Sequence, residues 1–176
     1  ITPFIRFDTT NVIAVRIDNS QQPTDRWYSG SGIYRKVQLR AMHPVHIPHW
    51  GVTVTTPEIT DTYALVQVQT PLHNQLNRTK HLQLKTQIIS PHGQVLSQKT
   101  GDITVAAGSE KSLVHMIKIE QPELWDIGHP ALYHVRSTVF CDGEIVHHEE
   151  NRFGIRTALF DPDQGFLLNG RKVLLK

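Results

Sequence analysis

The chain has 176 residues, of which 39% are hydrophobic and 19% charged, an ordinary globular composition that excludes collagen-like, disordered and coiled-coil classes. Lysine and arginine total 18 against 16 acidic residues, a net charge of +2, and no Lys/Arg run exceeds two residues, so the basic face that nucleic-acid binding needs is missing. No apolar stretch approaches the roughly twenty residues that span a bilayer, and the single cysteine, Cys141, cannot support a disulfide framework.

The chain opens on Ile1-Thr2-Pro3-Phe4, without a basic leader and apolar segment. Alternation at period two, the mark of half-buried strands, runs through Val12–Ile17, Val52–Thr55 and Leu65–Gln69. It returns in Leu82–Ile88, Leu113–Ile119 and Leu132–Phe140. Between these runs lie turn residues: Pro91-His92-Gly93, Ala107-Gly108-Ser109 and Asp142-Gly143, the last being the strongest hairpin signal in the chain. No window shows convincing helical periodicity, so the expected class is all-β. Residues 1–42 hold two strands joined by a polar loop, too few for a core, and these are expected to pair with strands outside the chain or to dock on a sandwich. Residues 43–157 carry about seven strands at spacings that suit an antiparallel sandwich, after a linker at Met42-His43-Pro44-Val45. Gly165–Lys176 reads as a hairpin whose second arm has only begun, and the sequence is expected to be a fragment.

The eleven histidines invite a metal reading. His43, His46 and His49 are three apart, yet a strand turns His46 away from the other two, and Pro44 and Pro48 break any helix. His147-His148-Glu149-Glu150 alternates between faces and reads as a solvated hairpin arm. Asp161 and Asp163 flank Pro162 as turn residues; Asp142 and Glu144 sit at a hairpin tip, where a glycosidase pair is rarely built. Cys141 ends an alternating strand and reads as a core thiol. No nucleophile elbow, phosphate loop or dinucleotide fingerprint is present, and no metal ligands are assigned.

The loop from Asp25 to Arg35 combines an acid, two bases, three aromatics and two glycines. Sugar sites use such residues, with rings stacking on the pyranose and charged groups bonding hydroxyls. The same residues also read as packing at a junction between two β units, with the glycines allowing a tight turn.

Three segments carry a family resemblance. Asn11–Asn19 followed by Arg26–Arg35 resembles the end of the sugar-binding jelly-roll domain of glycoside hydrolase family 2. Pro122-Glu123-Leu124-Trp125 through Pro130-Ala131-Leu132-Tyr133 is similar to a motif of that family's immunoglobulin-like middle domain. Phe153-Gly154-Ile155-Arg156 followed by Gly165–Gly170 resembles its bridge into the catalytic (β/α)8 barrel. The resemblance implies an immunoglobulin-like β-sandwich at 43–157, preceded at 1–42 by terminal jelly-roll strands and followed at 158–176 by the lead-in to the barrel.

It further implies a parent retaining exo-β-glycosidase, most similar to β-galactosidases, whose two catalytic glutamates belong to the barrel, so no catalytic residue is expected here. Asp25, Arg26 and Trp27 become the substrate-side candidates, although the loop is one residue longer than in well-known members. Trp125, Tyr133, Phe153 and Arg156 are read as interface and core. The resemblance implies no cofactor in this stretch, and leaves room in the parent for a divalent or monovalent cation. Its implied partners are the rest of the polypeptide, a carbohydrate substrate and, as an option, a second copy, with neither nucleic acid nor membrane. A bacterial cytoplasm or periplasm suits the single cysteine. Two other readings stay open: a free-standing carbohydrate-binding module using Trp27, Tyr28 and Tyr34, and an immunoglobulin-like interaction domain.

Overall fold

In a computed structural model that describes residues 1–18, 20 and 31–174, the chain divides into two units, Ile1–Arg40 and Ala41–Lys176. The first departs from expectation. Its regular element among the described residues is a 3-10 turn, Thr2–Phe4, opened by Pro3. The Asn11 side chain then closes a loop, with Oδ1 accepting from Arg6 N–H at 2.9 Å and Nδ2 donating to the Arg6 carbonyl at 2.7 Å. The strand expected over Val12–Ile17 is absent, and Val12, Ile13, Val15 and Ile17 are exposed. β-Branched alternation favours a pleated, half-buried surface, but a strand exists only where a partner accepts its hydrogen bonds.

The second unit is all-β, as expected. Its strands are β1 (Val45–His46), β2 (Thr53–Ile59), β3 (Tyr63–Asn74), β4 (Lys80–Ile89), β5 (Val95–Val105) and β6 (Ser109–Glu120). After them come β7 (Tyr133–Cys141), β8 (Glu144–Phe153), β9 (Ala158–Asp161), β10 (Gly165–Leu168) and β11 (Arg171–Lys172). β3 is the spine of one sheet, paired with β6 on one edge and with β2 and then β1 on the other. The second sheet runs β5–β4–β7–β8. All pairings are antiparallel, and the two faces close an immunoglobulin-like sandwich. A small third sheet, β9–β10–β11, follows.

Period two decides which side chains enter the core. Ala64, Val66, Val68, Thr70, Leu72 and Asn74 of β3 are all buried, as are Leu82, Leu84, Thr86 and Ile88 of β4. Their facing sets form two apolar clusters. One gathers Val45, Ile47, Leu72, Leu82, Leu84, Ile103, Val105, Val139 and Cys141. The other joins Ala64, Val66, Val68, Ile88, Ile117, Ile119, Tyr133, Val135 and Ile155. Cys141 is the core thiol the alternation predicts.

The turns follow their residues. Asp142 (φ 54°) and Gly143 (φ 85°) make the two-residue connection between β7 and β8, and Asn169 (φ 49°) and Gly170 (φ 73°) repeat it between β10 and β11. Asp161 caps the β9–β10 turn by accepting the Asp163 and Gln164 N–H groups at 2.9 and 2.8 Å, so the Asp161–Asp163 pair is turn chemistry.

Gly101 is a different kind of glycine. It sits inside β5, where a Cβ would stand 2.8 Å from His115 Nε2 and 3.0 Å from Leu113. The missing side chain admits the imidazole to the core. Gly101→Ala is therefore expected to lower unfolding free energy by about 1–3 kcal/mol, the usual cost of overpacking; a denaturant midpoint equal to wild type would refute that role.

Candidate functional site at the Trp125–Arg156 junction

The substrate-side candidates Asp25, Arg26 and Trp27, with Tyr28, lie outside the described residues. Tyr34 of the same loop is exposed, with the Arg35 guanidinium 5.4 Å from its ring centre. The best-built junction is elsewhere, where the loop between β6 and β7 meets the segment leaving β8.

Trp125 is half-buried in that loop, its N–H donating to the Ile155 carbonyl at 2.8 Å. The ring lies over Gly154, where a Cβ would be 2.7 Å from Trp125 Cβ, so only glycine lets the indole lie flat. The guanidinium of Arg156, itself exposed, covers the indole at 4.5 Å from the ring centre. Below, Tyr133 is buried and tilts against Phe153 at 5.6 Å, and its hydroxyl accepts the Glu123 N–H at 2.8 Å. The four motif residues thus sort into core (Tyr133, half-buried Phe153) and junction (Trp125, Arg156).

The junction also ties in the third sheet. Asn169, at the β10–β11 turn, donates from Nδ2 to the Trp125 carbonyl at 3.0 Å and accepts from Thr157 N–H at 3.0 Å. Its own N–H donates to the Thr157 carbonyl at 3.0 Å, and Arg171 pairs with Asp126. A polar clamp of this kind fixes orientation. It presents no nucleophile, and no base aimed at one.

Three carboxylates of this unit are engaged structurally. Glu123 sits between His129 and His92, and the His129 hydrogen bond is the main cause holding its carboxyl below the usual range. Glu150 is lowered by Arg136 and then His134, and Asp142 by Lys80, whose Nζ donates at 2.5 Å. A glycosidase acid needs the opposite shift. On the outer face of the second sheet, a hollow of about 540 Å³ is lined by His81, Gln83, Asp102 and Thr104, which bond to one another across β4 and β5.

His46 is turned inward, away from the exposed His43 and His49, as strand alternation implies. His46 is buried, its Nδ1 bonded to the His43 carbonyl at 2.8 Å. Its ring lies 5.5 Å from His73, its register partner, and 6.2 Å from His147 of β8. His147 and Glu149 are half-buried and only His148 and Glu150 take the solvent side, which corrects the reading of 147–150 as a solvated arm. Sequence reasoning also passed over Trp50. It is 83% exposed, stacked on His49 at 4.6 Å, and adopts φ 57° in a turn closed by Gly51 N–H to the Pro48 carbonyl at 2.8 Å. A bulky residue in left-handed backbone is a mark of constraint. The signal available was Pro48-His49-Trp50-Gly51, a turn tetrapeptide carrying a large ring.

Comparison with known proteins gives this junction a family. The sequence pattern of "Glycosyl hydrolases family 2" matches residues 45–156. The β-galactosidase BoGH2A of Bacteroides ovatus is 35% identical over 98% of this chain, which spans 20% of that protein. A β-glucuronidase of Formosa agariphila is 28% identical over 99% of the chain and is likewise covered over 20% of its length. Among solved structures, a family 2 member from Bacteroides cellulosilyticus superposes with a TM-score of 0.77 at 34% identity, over 86% of this chain and 20% of that one. The chain belongs to glycosyl hydrolases family 2, and it spans about a fifth of the curated relatives it matches.

Two predictions follow from the site. Gly154→Ala should disturb the junction more than Arg156→Ala, because the first drives a Cβ into the indole while the second removes one exposed cation–π contact; equal unfolding midpoints would contradict the close-packing argument. Burial lowers the pKa of His115 and of His147 from 6.5, helped by Lys99 in one case and by His46 and His148 in the other. The unfolded chain therefore takes up protons first. The contribution of both rings is complete above pH 6.5 and is lost as pH falls below it toward the folded values. The denaturant midpoint should drop between pH 7.5 and pH 5.5, and a flat profile would count against neutral burial of these rings.

Proposed function

Proceeding from membership of glycosyl hydrolases family 2, we propose that this chain is the non-catalytic β-sandwich portion of a retaining exo-β-glycosidase that hydrolyses terminal β-galactosides. One observation carries the reading: a β-galactosidase matches 98% of this chain at 35% identity, the highest identity among the relatives named above, while the chain accounts for only 20% of that enzyme. The chemistry then belongs to the remainder of the polypeptide. The sandwich contributes rigidity. A barrel site opens at the C-terminal ends of its strands and needs neighbouring elements to wall it into a pocket for one terminal sugar. The Trp125–Arg156 clamp is the natural fixing point, since it already locks the third sheet to the sandwich. In this reading Asp25, Arg26 and Trp27 are the substrate-binding candidates.

A second sugar has specific support, because Formosa agariphila and Bacteroides fragilis relatives named β-glucuronidases are 28% and 25% identical over 99% of the chain. The two sugars differ at C6, a carboxylate against a hydroxymethyl group, so a pocket built for one discriminates strongly against the other.

The test is kcat/KM of the full-length protein on p-nitrophenyl β-galactoside and β-glucuronide. A ratio of about tenfold or more for the galactoside is expected, and the reverse would move the reading to the glucuronidase. Asp25→Asn in the same protein should cost roughly tenfold in kcat/KM, the scale of one charged hydrogen bond. Unchanged kinetics would remove Asp25 from the substrate side.

A further inference from the structure

Strands β3, β4, β6 and β7 each carry one core-facing polar residue at the boundary between the two apolar clusters. On β3 it is Thr70, between Val68 and Leu72; on β4 it is Thr86, between Leu84 and Ile88. On β6 it is His115, between Leu113 and Ile117; on β7 it is Ser137, between Val135 and Val139. In every strand one neighbour belongs to the first cluster and the other to the second. The core is therefore two apolar halves separated by a polar seam. Register extends the seam within its sheet, because Thr86 stands opposite Ser137, Lys99 opposite Thr86, and half-buried Glu149 opposite Ser137.

The polar groups of the seam outnumber their bonds. His115 Nδ1 meets Thr86 Oγ1 at 2.9 Å, linking the two sheets. Thr70 Oγ1, His115 Nε2 and Ser137 Oγ have no hydrogen-bond partner among the described residues, although Thr70 and Ser137 are 0% exposed and His115 is 3% exposed. Buried hydroxyls and ring nitrogens are almost always bonded, and leaving one unpaired forfeits stability. Four strands placing such groups at one level is a built site.

We propose that the seam is an internal hydration site, holding ordered water between the sheets against Thr70 Oγ1, Ser137 Oγ and His115 Nε2. The chemistry selects water. The three orphan atoms belong to two hydroxyls and a ring kept neutral by burial, so the seam supplies no carboxylate at its centre to hold a cation. A neutral imidazole carries one N–H and one lone pair, and the Thr86 bond can take either role at Nδ1. Whichever role that leaves to Nε2, water can donate or accept. Gly101 presents backbone rather than a side chain to the ring nitrogen, since a Cβ there would stand 2.8 Å from Nε2. The groups facing His115 are Thr86 from β4, Gly101 and Lys99 from β5, and Leu113 on its own strand.

The deciding experiment is a crystal structure of the full-length protein at a resolution that shows ordered solvent, with denaturant midpoints for Thr70→Val and Ser137→Ala. Density for a solvent molecule within hydrogen-bond reach of at least two of the three atoms, lost in either variant with a lowered midpoint, is expected. A dry seam, its hydroxyls turned onto carbonyls of their own strands, overturns the proposal. So do two variants whose midpoints equal or exceed wild type. A variant that does not fold leaves the decision to the wild-type density.

Discussion

Antiparallel pairing fixes the level at which every side chain of this sandwich meets its counterpart, and the rest of the structure depends on that. The β3–β6 ladder runs without a break in register from Tyr63 opposite Glu120 to Asn74 opposite Ser109. Once it is set, the even residues of β3 and the odd residues of β6 share one interior face. The β4–β7 ladder does the same for the other sheet, from Leu82 opposite Cys141 to Ile89 opposite His134. A slip of one residue in either ladder would bring Gln67 or Gln83 inward and expel Val66 or Leu84. Hydrophobic burial holds the register, and the register in turn collects the polar residues of four strands into a single seam.

Two glycines make way for two rings by the same device. Gly101 clears space for His115 inside the core, and Gly154 clears space for Trp125 at its end. Neither is needed for a turn. Each stands where a planar group must approach backbone more closely than a Cβ allows. The consequences differ with position. Burial lowers the pKa of the imidazole, whereas the indole keeps one face for the Arg156 guanidinium while the Trp125 backbone carbonyl accepts from Asn169.

Much of this was legible in the residues. Alternation located β3, β4, β6 and β7, and the Asp142-Gly143 pair announced the β7–β8 hairpin, because turn type and period are local properties. Partnership is not local. Val12–Ile17 has the same alternation as β4 yet forms no strand, since propensity cannot supply the opposing backbone. His46, His73 and His147 come from strands far apart in sequence, and no spacing rule foretells that they adjoin. The seam was hidden for a related reason: one threonine, serine or histidine in an apolar run looks like an isolated exception until the ladders align four of them. Trp50 escaped because an exposed aromatic has no period, and its left-handed backbone is visible only in three dimensions.

The division between rigid and reactive parts follows from the same physics. The general acid of a glycosidase needs a pKa raised above the ordinary carboxylate value, which requires burial or a like charge nearby. In this sandwich the pressures run the other way. Glu123, Glu150 and Asp142 lie beside cations and imidazoles that stabilise their charged forms, and no carboxylate is among the buried polar residues described. At the end of the sandwich, Trp125, Gly154, Arg156 and Asn169 lock the following sheet in orientation. The clamp thus holds the third sheet at a fixed orientation to the sandwich, and rigidity is what these residues supply.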